Sequence, residues 1–149
     1  MYKKLLVPLD ASQRAEAILP HAESLAKSFD AKVIFLFVEE PPMMLEHDEV
    51  VDQEKLAKHM ALKRKEIQSY FDAIIERWRA KGITAEVLYG HGPVVNTIID
   101  TAQREQVDLV AMASHGRSGW GRTFYGSVSA GVLQRVDRPL LLIRSQDVA

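Results

Sequence analysis

The residues whose types and spacing best suit chemistry lie at 113–127, ASHGRSGWGRTFYGS. Four glycines, Gly116, Gly119, Gly121 and Gly126, fall there within eleven positions. Glycine reaches backbone conformations closed to other residues and, without a Cβ, lets peptide N–H groups come close to a ligand. At Gly126 both properties are expected, a positive φ and an open approach. An apolar run, Asp108–Ala113 (DLVAMA), precedes the segment, and a helical pattern follows from Gly126-Ser127. A helix start offers N–H donors without intrahelical partners and the positive end of the helix dipole. Strand, glycine loop and helix start together make a phosphate cradle, in which Ser127 adds a hydroxyl donor and Arg117 and Arg122 add positive charge. The same residues also read as a flexible connection closed by a serine cap, and composition alone leaves both open.

Other phosphate motifs fail on single residues. Gly121-x4-Gly126-Ser127 echoes a P-loop but lacks the lysine after the second glycine. A dinucleotide fingerprint belongs after the first strand, where the chain reads Leu9-Asp10-Ala11-Ser12 without a glycine. A phosphoacceptor receiver domain wants an aspartate where the third strand gives way to Gly90. His115 lies beside the glycines, although a loop histidine is more often solvated or capping than catalytic. His21, His47, His59 and His91 show no metal-ligand spacing, and the absence of cysteine excludes disulfides, thiol nucleophiles and thiolate metal sites. Nineteen Lys plus Arg against twenty Asp plus Glu give a net charge of −1, without the positive excess of a general nucleic-acid binder. No apolar run approaches a membrane span, and MYKKLLVPLD turns polar too early for a secretory leader. A cytoplasmic protein is expected, of one domain over 1–149.

Short apolar runs alternating with longer amphipathic stretches must position the loop, and that alternation marks a parallel α/β sheet. Lys4–Leu9 is the first strand, followed by a turn at Asp10-Ala11-Ser12 in which Asp10 or Ser12 alternatively caps a helix. Ala15–Phe29 carries Ile18, Leu19, Ala22, Leu25, Ala26 and Phe29 at helical spacing, with a kink expected at Pro20. Lys32–Val38 is apolar enough for a central strand. Residues 39–54 hold seven acids, two prolines and no Lys or Arg, which favours a loop. A long helix follows with Leu56, Met60, Ile67, Phe71, Ile74, Ile75 and Trp78 on one stripe, closed by Gly82. Ile83–Tyr89 alternates in the manner of an edge strand. Gly92-Pro93 opens a helix buried through Val94, Val95, Ile98, Ile99 and Ala102. A last helix with Val128, Val132, Leu133 and Val136 inward leads to a fifth strand, Pro139–Ile143.

These features resemble the universal stress protein family, whose nucleotide motif is Gly-x2-Gly-x9-Gly-Ser/Thr. Here it reads Ala113-x2-Gly116-x9-Gly126-Ser127, matching at three of four positions. The resemblance spans the chain through KKLLVPLDAS, GHGP, DLVAMASHGRSG and RPLLLIR. It implies a Rossmann-like open parallel five-stranded sheet of order 3-2-1-4-5, helices on both faces, with a ligand crevice at the carboxyl ends of strands one and four. By position it implies an ATP site at Pro8, Leu9 and Asp10, with Asp10 on the ribose or adenine. Val38 would read the adenine edge through its backbone, and Met112 and Ala113 would line base and ribose. Gly116, Gly126, Ser127 and the Val128 N–H would hold the phosphates, with His115 and Arg117 beside them and Mg²⁺ carried by the nucleotide. Ala113 departs from the motif by one methyl, harmless wherever φ is negative. The implied function is a stress-response regulator acting through ligand-dependent conformation on a partner protein, and a homodimer paired through Pro139–Ile143. Two other readings stand beside it: a nucleotide-free dimeric scaffold, and a slow ATP phosphohydrolase using Asp10 and His115.

Overall fold

A computed structural model describes residues 1–40, 53–114 and 126–145. The elements run β1 (Lys4–Pro8), a 3-10 turn (Ala15–Ile18), α1 (Leu19–Phe29), β2 (Lys32–Glu39), α2 (Gln53–Ala80), β3 (Ala85–His91), α3 (Val94–Arg104), β4 (Leu109–Ala113), α4 (Ser127–Arg135) and β5 (Leu140–Ile143). The strands pair in the order β3-β2-β1-β4-β5, all parallel. This is the sheet expected from the resemblance, with the strand order reversing between β1 and β4.

The apolar runs follow from burial on both faces. Successive side chains of a strand point to opposite sides, so consecutive apolar residues serve two cores. Leu5, Val7, Val33, Phe35 and Ala111 face α1 and α2, where Ala22, Ala26, Phe71, Ile74 and Trp78 cover them. Leu6, Ile34, Leu36, Val110 and Met112 face α3 and α4, against Ile98, Ile99, Ala102 and Val132. Phe35 sits between Phe71 and Trp78, with ring centroids 6.1 and 5.1 Å away. Burying one such side chain contributes about 1.5–3 kcal/mol.

Three expectations change. The first helix does not bend at Pro20: a 3-10 turn precedes it and Pro20 occupies the first turn of α1, where its missing N–H costs nothing. The edge strand begins at Ala85 and reaches His91, because Ile83 N–H closes the end of α2 on Trp78 O at 3.0 Å. Gly82, at φ 82°, makes that reversal possible. Leu133, expected inside, is half exposed, as is Phe29, whose ring packs edge-on against Tyr2.

Close helix contact sets where α4 begins. A Cβ at Gly131 would lie 2.8 Å from Val95 Cγ2, so α3 and α4 approach to a distance that only glycine permits there.

Candidate functional site

At the carboxyl end of β1 the backbone folds back at once. Leu9 N–H still reaches Leu36 O at 3.0 Å, and Ala11 then takes a left-handed φ of 67°. The Asp10 carboxylate accepts Ser12 N–H at 3.0 Å, and Ser12 Oγ accepts Ala15 N–H at 3.2 Å. Asp10 thus anchors a turn, and it is half-buried among the residues that line the cleft. Ser12 closes the turn ahead of the 3-10 helix, whose N-cap position is Arg14.

At the end of β4, Ser114 ties three segments together. Its N–H donates to Ile143 O at 2.7 Å, its hydroxyl accepts Ser145 N–H at 3.2 Å, and its carbonyl accepts Gly126 N–H at 2.8 Å. The buried Ser129 hydroxyl donates to the same carbonyl at 2.7 Å. The two ends of the glycine segment are thereby fastened at one point. His115, Gly116 and Arg117, with Gly119, Gly121 and Arg122, lie outside the described residues.

Gly126 is the N-cap of α4 with φ −58° and ψ 157°, not the positive φ expected. Any residue adopts that conformation, so a requirement for glycine there comes from approach alone. No side chain caps the helix. Its first turn turns the N–H groups of Ser127, Val128 and Ser129 outward without intrahelical acceptors. Ser127 is exposed and its hydroxyl makes no hydrogen bond among the described residues. Ala113 ends β4 in strand conformation with a negative φ, so its methyl imposes no strain.

One cleft of about 1010 Å³ joins these parts above the carboxyl edge of the sheet. Pro8, Leu9, Asp10, Val38, Met112, Ala113, Gly126, Ser127 and Val128, nine of the twelve positions expected from sequence, all line it. Met112, Ala113 and Leu36 give it apolar lining, and Asp10 and the start of α4 both border it. Open α/β sheets bind ligands at such a switch point. Missing from the sequence-based set is the wall made by the first half of α2, where Leu56, Met60, Lys63 and Arg64 face the cleft. Glu39 fastens that wall, taking Arg64 Nη2 at 3.2 Å and His91 Nδ1 at 3.4 Å. Leu56 and Met60 had the helical spacing of core residues, which concealed their place on a ligand wall. Ser114 and Ser129 were missed as well, since single serines carry no periodic signal. Tyr89 also lines the cleft; burial, and then the Asp72 carboxylate, push its ionisation above the ordinary tyrosine range. Among the described residues no three His, Cys, Asp or Glu cluster as a metal site.

Fold and cleft define an open, parallel α/β protein with a cleft at the strand-order reversal. The sequence profile of the universal stress protein family matches residues 1–144, and the chain belongs to that family. Among its relatives, universal stress protein MJ0531 of Methanocaldococcus jannaschii is 27% identical over 144 residues, covering 97% of this chain and 83% of that protein. The solved structure of MJ0577 from the same organism superposes with a TM-score of 0.83 at 25% identity, over 99% of both chains. A universal stress protein in complex with cAMP gives 0.71 at 20% identity, over 97% of this chain and 98% of that one. An Arabidopsis thaliana family member with AMP bound gives 0.66 at 18%, over 97% and 92%. Among the described residues no helix is long and apolar enough to cross a membrane.

Proposed function

We propose that this chain binds an adenine nucleotide, ATP with Mg²⁺, and acts as a stress-response regulator whose occupied and empty states differ in the surface offered to a protein partner. The observation that carries the proposal is the cleft bordered both by the open N-terminus of α4 and by Asp10. Phosphates would sit on the Ser127 and Val128 N–H groups and the Ser127 hydroxyl, where the helix dipole favours negative charge. Base and ribose would lie over Met112 and Ala113, between Asp10 and the Val38 backbone. His115, Gly116 and Arg117 would complete the phosphate side. Mg²⁺ would be held through phosphate oxygens. Structural relatives with cAMP and AMP support an adenine nucleotide as the ligand class.

The regulatory mode is binding and population shift: a ligand moves an equilibrium by its difference in affinity for the two states. We also propose a two-fold homodimer paired through Pro139–Ile143, because β5 ends the sheet with its outer edge unpaired among the described residues. Calorimetric titration with ATP, ADP, AMP and cyclic AMP, each with and without Mg²⁺, tests the ligand. Micromolar binding strengthened by Mg²⁺ for the triphosphate is expected. Absence of heat with all four would leave the nucleotide-free scaffold in its place.

A further inference from the structure

The 28 residues of α2 make a rod of about 42 Å, yet only its second half packs on the sheet. Its buried residues are Ile67, Phe71, Ile74, Ile75 and Trp78. From Gln53 to Glu66 every residue is exposed except Leu56 and Met60, which are half-buried and turned to the cleft. This overhang is strongly basic in a chain of net charge −1. Residues 55–65, KLAKHMALKRK, contain Lys55, Lys58, Lys63, Arg64 and Lys65 and no acid.

Helical geometry separates these charges into faces. Lys58, Leu62 and Lys65 follow at i, i+4 and i+7, on the side opposite Leu56 and Met60. Leu62 is 59% exposed there, an isobutyl group standing in water between two ammonium groups. Neither Lys58 nor Lys65 makes an ion pair among the described residues. Seven residues of helix set the two lysines about 10 Å apart along the axis, the span of three or four residues of extended peptide.

We propose that this outward face docks an acidic peptide segment of a partner protein, with one large apolar side chain on Leu62 and flanking carboxylates on Lys58 and Lys65. An apolar contact ringed by charge is the pattern of a small interface with a polar rim. A membrane surface fits poorly, because the helix's apolar stripe faces the cleft and leaves Leu62 alone outside. A nucleic acid fits poorly too, because Glu54 and Glu66 end the basic run on both sides while phosphates continue along the backbone.

Fluorescence anisotropy on the full chain tests the proposal, independently of whether the cleft takes a nucleotide. The probe is a short labelled oligo-glutamate with one central Phe. Its Phe-to-Ser counterpart, a labelled single-stranded oligonucleotide and phosphatidylserine vesicles are run beside it. The Phe peptide should bind best, more weakly as salt screens the charges. Lys58→Glu combined with Lys65→Glu should weaken it at least about tenfold, since a rim charge reversed becomes repulsive. Leu62→Gln, which preserves helix propensity, should remove the preference for Phe over Ser while keeping the salt dependence. Lys58→Gln with Lys65→Gln provides a milder second variant, and far-UV circular dichroism verifies that the helix persists. Failure of the wild type to bind the peptide, equal binding by the lysine variants, or tighter binding of oligonucleotide or vesicles would overturn the assignment.

Discussion

Ser129 and Ser127 lie two residues apart at the start of α4, and their alanine variants should fail in opposite ways. The Ser129 hydroxyl is buried and has one proton, which goes to Ser114 O at 2.7 Å in preference to Gly126 O at 3.0 Å. When it is removed neither acceptor is orphaned, because Ser114 O keeps Gly126 N–H at 2.8 Å and Gly126 O keeps Ala130 N–H at 3.0 Å. The loss is therefore that of a single ordinary hydrogen bond, about 1 kcal/mol, without the larger penalty of a stranded polar group. For a domain of this size that corresponds to a melting point lowered by roughly 2–4 °C. Ser127, exposed and without such a bond among the described residues, should leave stability within about 0.5 kcal/mol when changed to Ala. On the proposed site, though, it removes a donor to a charged phosphate, about 1.5–3 kcal/mol, or roughly ten- to a hundredfold in affinity. Scanning calorimetry and ATP titration on both variants give the crossed comparison. A Ser127→Ala protein that melts early and binds normally would refute the placement of both hydroxyls.

Gly126→Val should abolish ATP binding and keep the fold, since φ −58° suits valine while its branched side chain blocks the approach to the helix N-terminus; titration and circular dichroism on one sample decide this. Leu141→Lys should convert the proposed dimer to monomer in sedimentation equilibrium, by placing a charge on the β5 edge; unchanged association would exclude β5 as the interface. Tyr70 offers a pH test. Its hydroxyl is buried and within reach of no close hydrogen-bond partner among the described residues, and burial, then the nearby Glu16 and Asp10 carboxylates, push its ionisation upward, with a smaller hydrogen-bonding contribution from Glu16. The folded state thus holds this proton beyond the ordinary value of about 10, and stability falls as pH rises through that range. Tyr70→Phe should match or exceed the parent's melting point at neutral pH, by up to about 1 kcal/mol, and lose less of it above pH 10. Gly131→Val should shift α4 away from Val95 and weaken nucleotide binding together with stability, read by the same two assays.

The central strands were legible because burial on two faces forces unbroken apolar runs, and β2 (KVIFLFVE) leaves no other interpretation at that length. Strand order came from the family motif, not from periodicity, which carries no information on which strands are neighbours. The nine described site positions were legible for the same reason, as the ends of strands and one helix start. Helical periodicity misled where it ran past an element: Ile18 and Leu19 keep the spacing of α1 across a 3-10 turn, and Leu133 keeps that of α4 while facing solvent. The α2 overhang escaped notice because a stripe of Leu56, Met60 and Ile67 looks the same over a sheet as over a cleft. At Gly126 the residue type suggested a left-handed backbone, whereas the structure gives an extended one that any residue adopts.

Ser114 lies on two boundaries at once. Its carbonyl holds the start of α4, and its N–H and hydroxyl hold the end of β5 through Ile143 and Ser145. The start of α4 and the end of β5 are thus bonded to the same residue. Binding free energies at two coupled sites must respond to each other equally. If the proposed nucleotide site and the proposed β5 dimer are coupled through this junction, the apparent nucleotide affinity would become a function of protein concentration, and the dimer dissociation constant a function of nucleotide concentration, by the same factor.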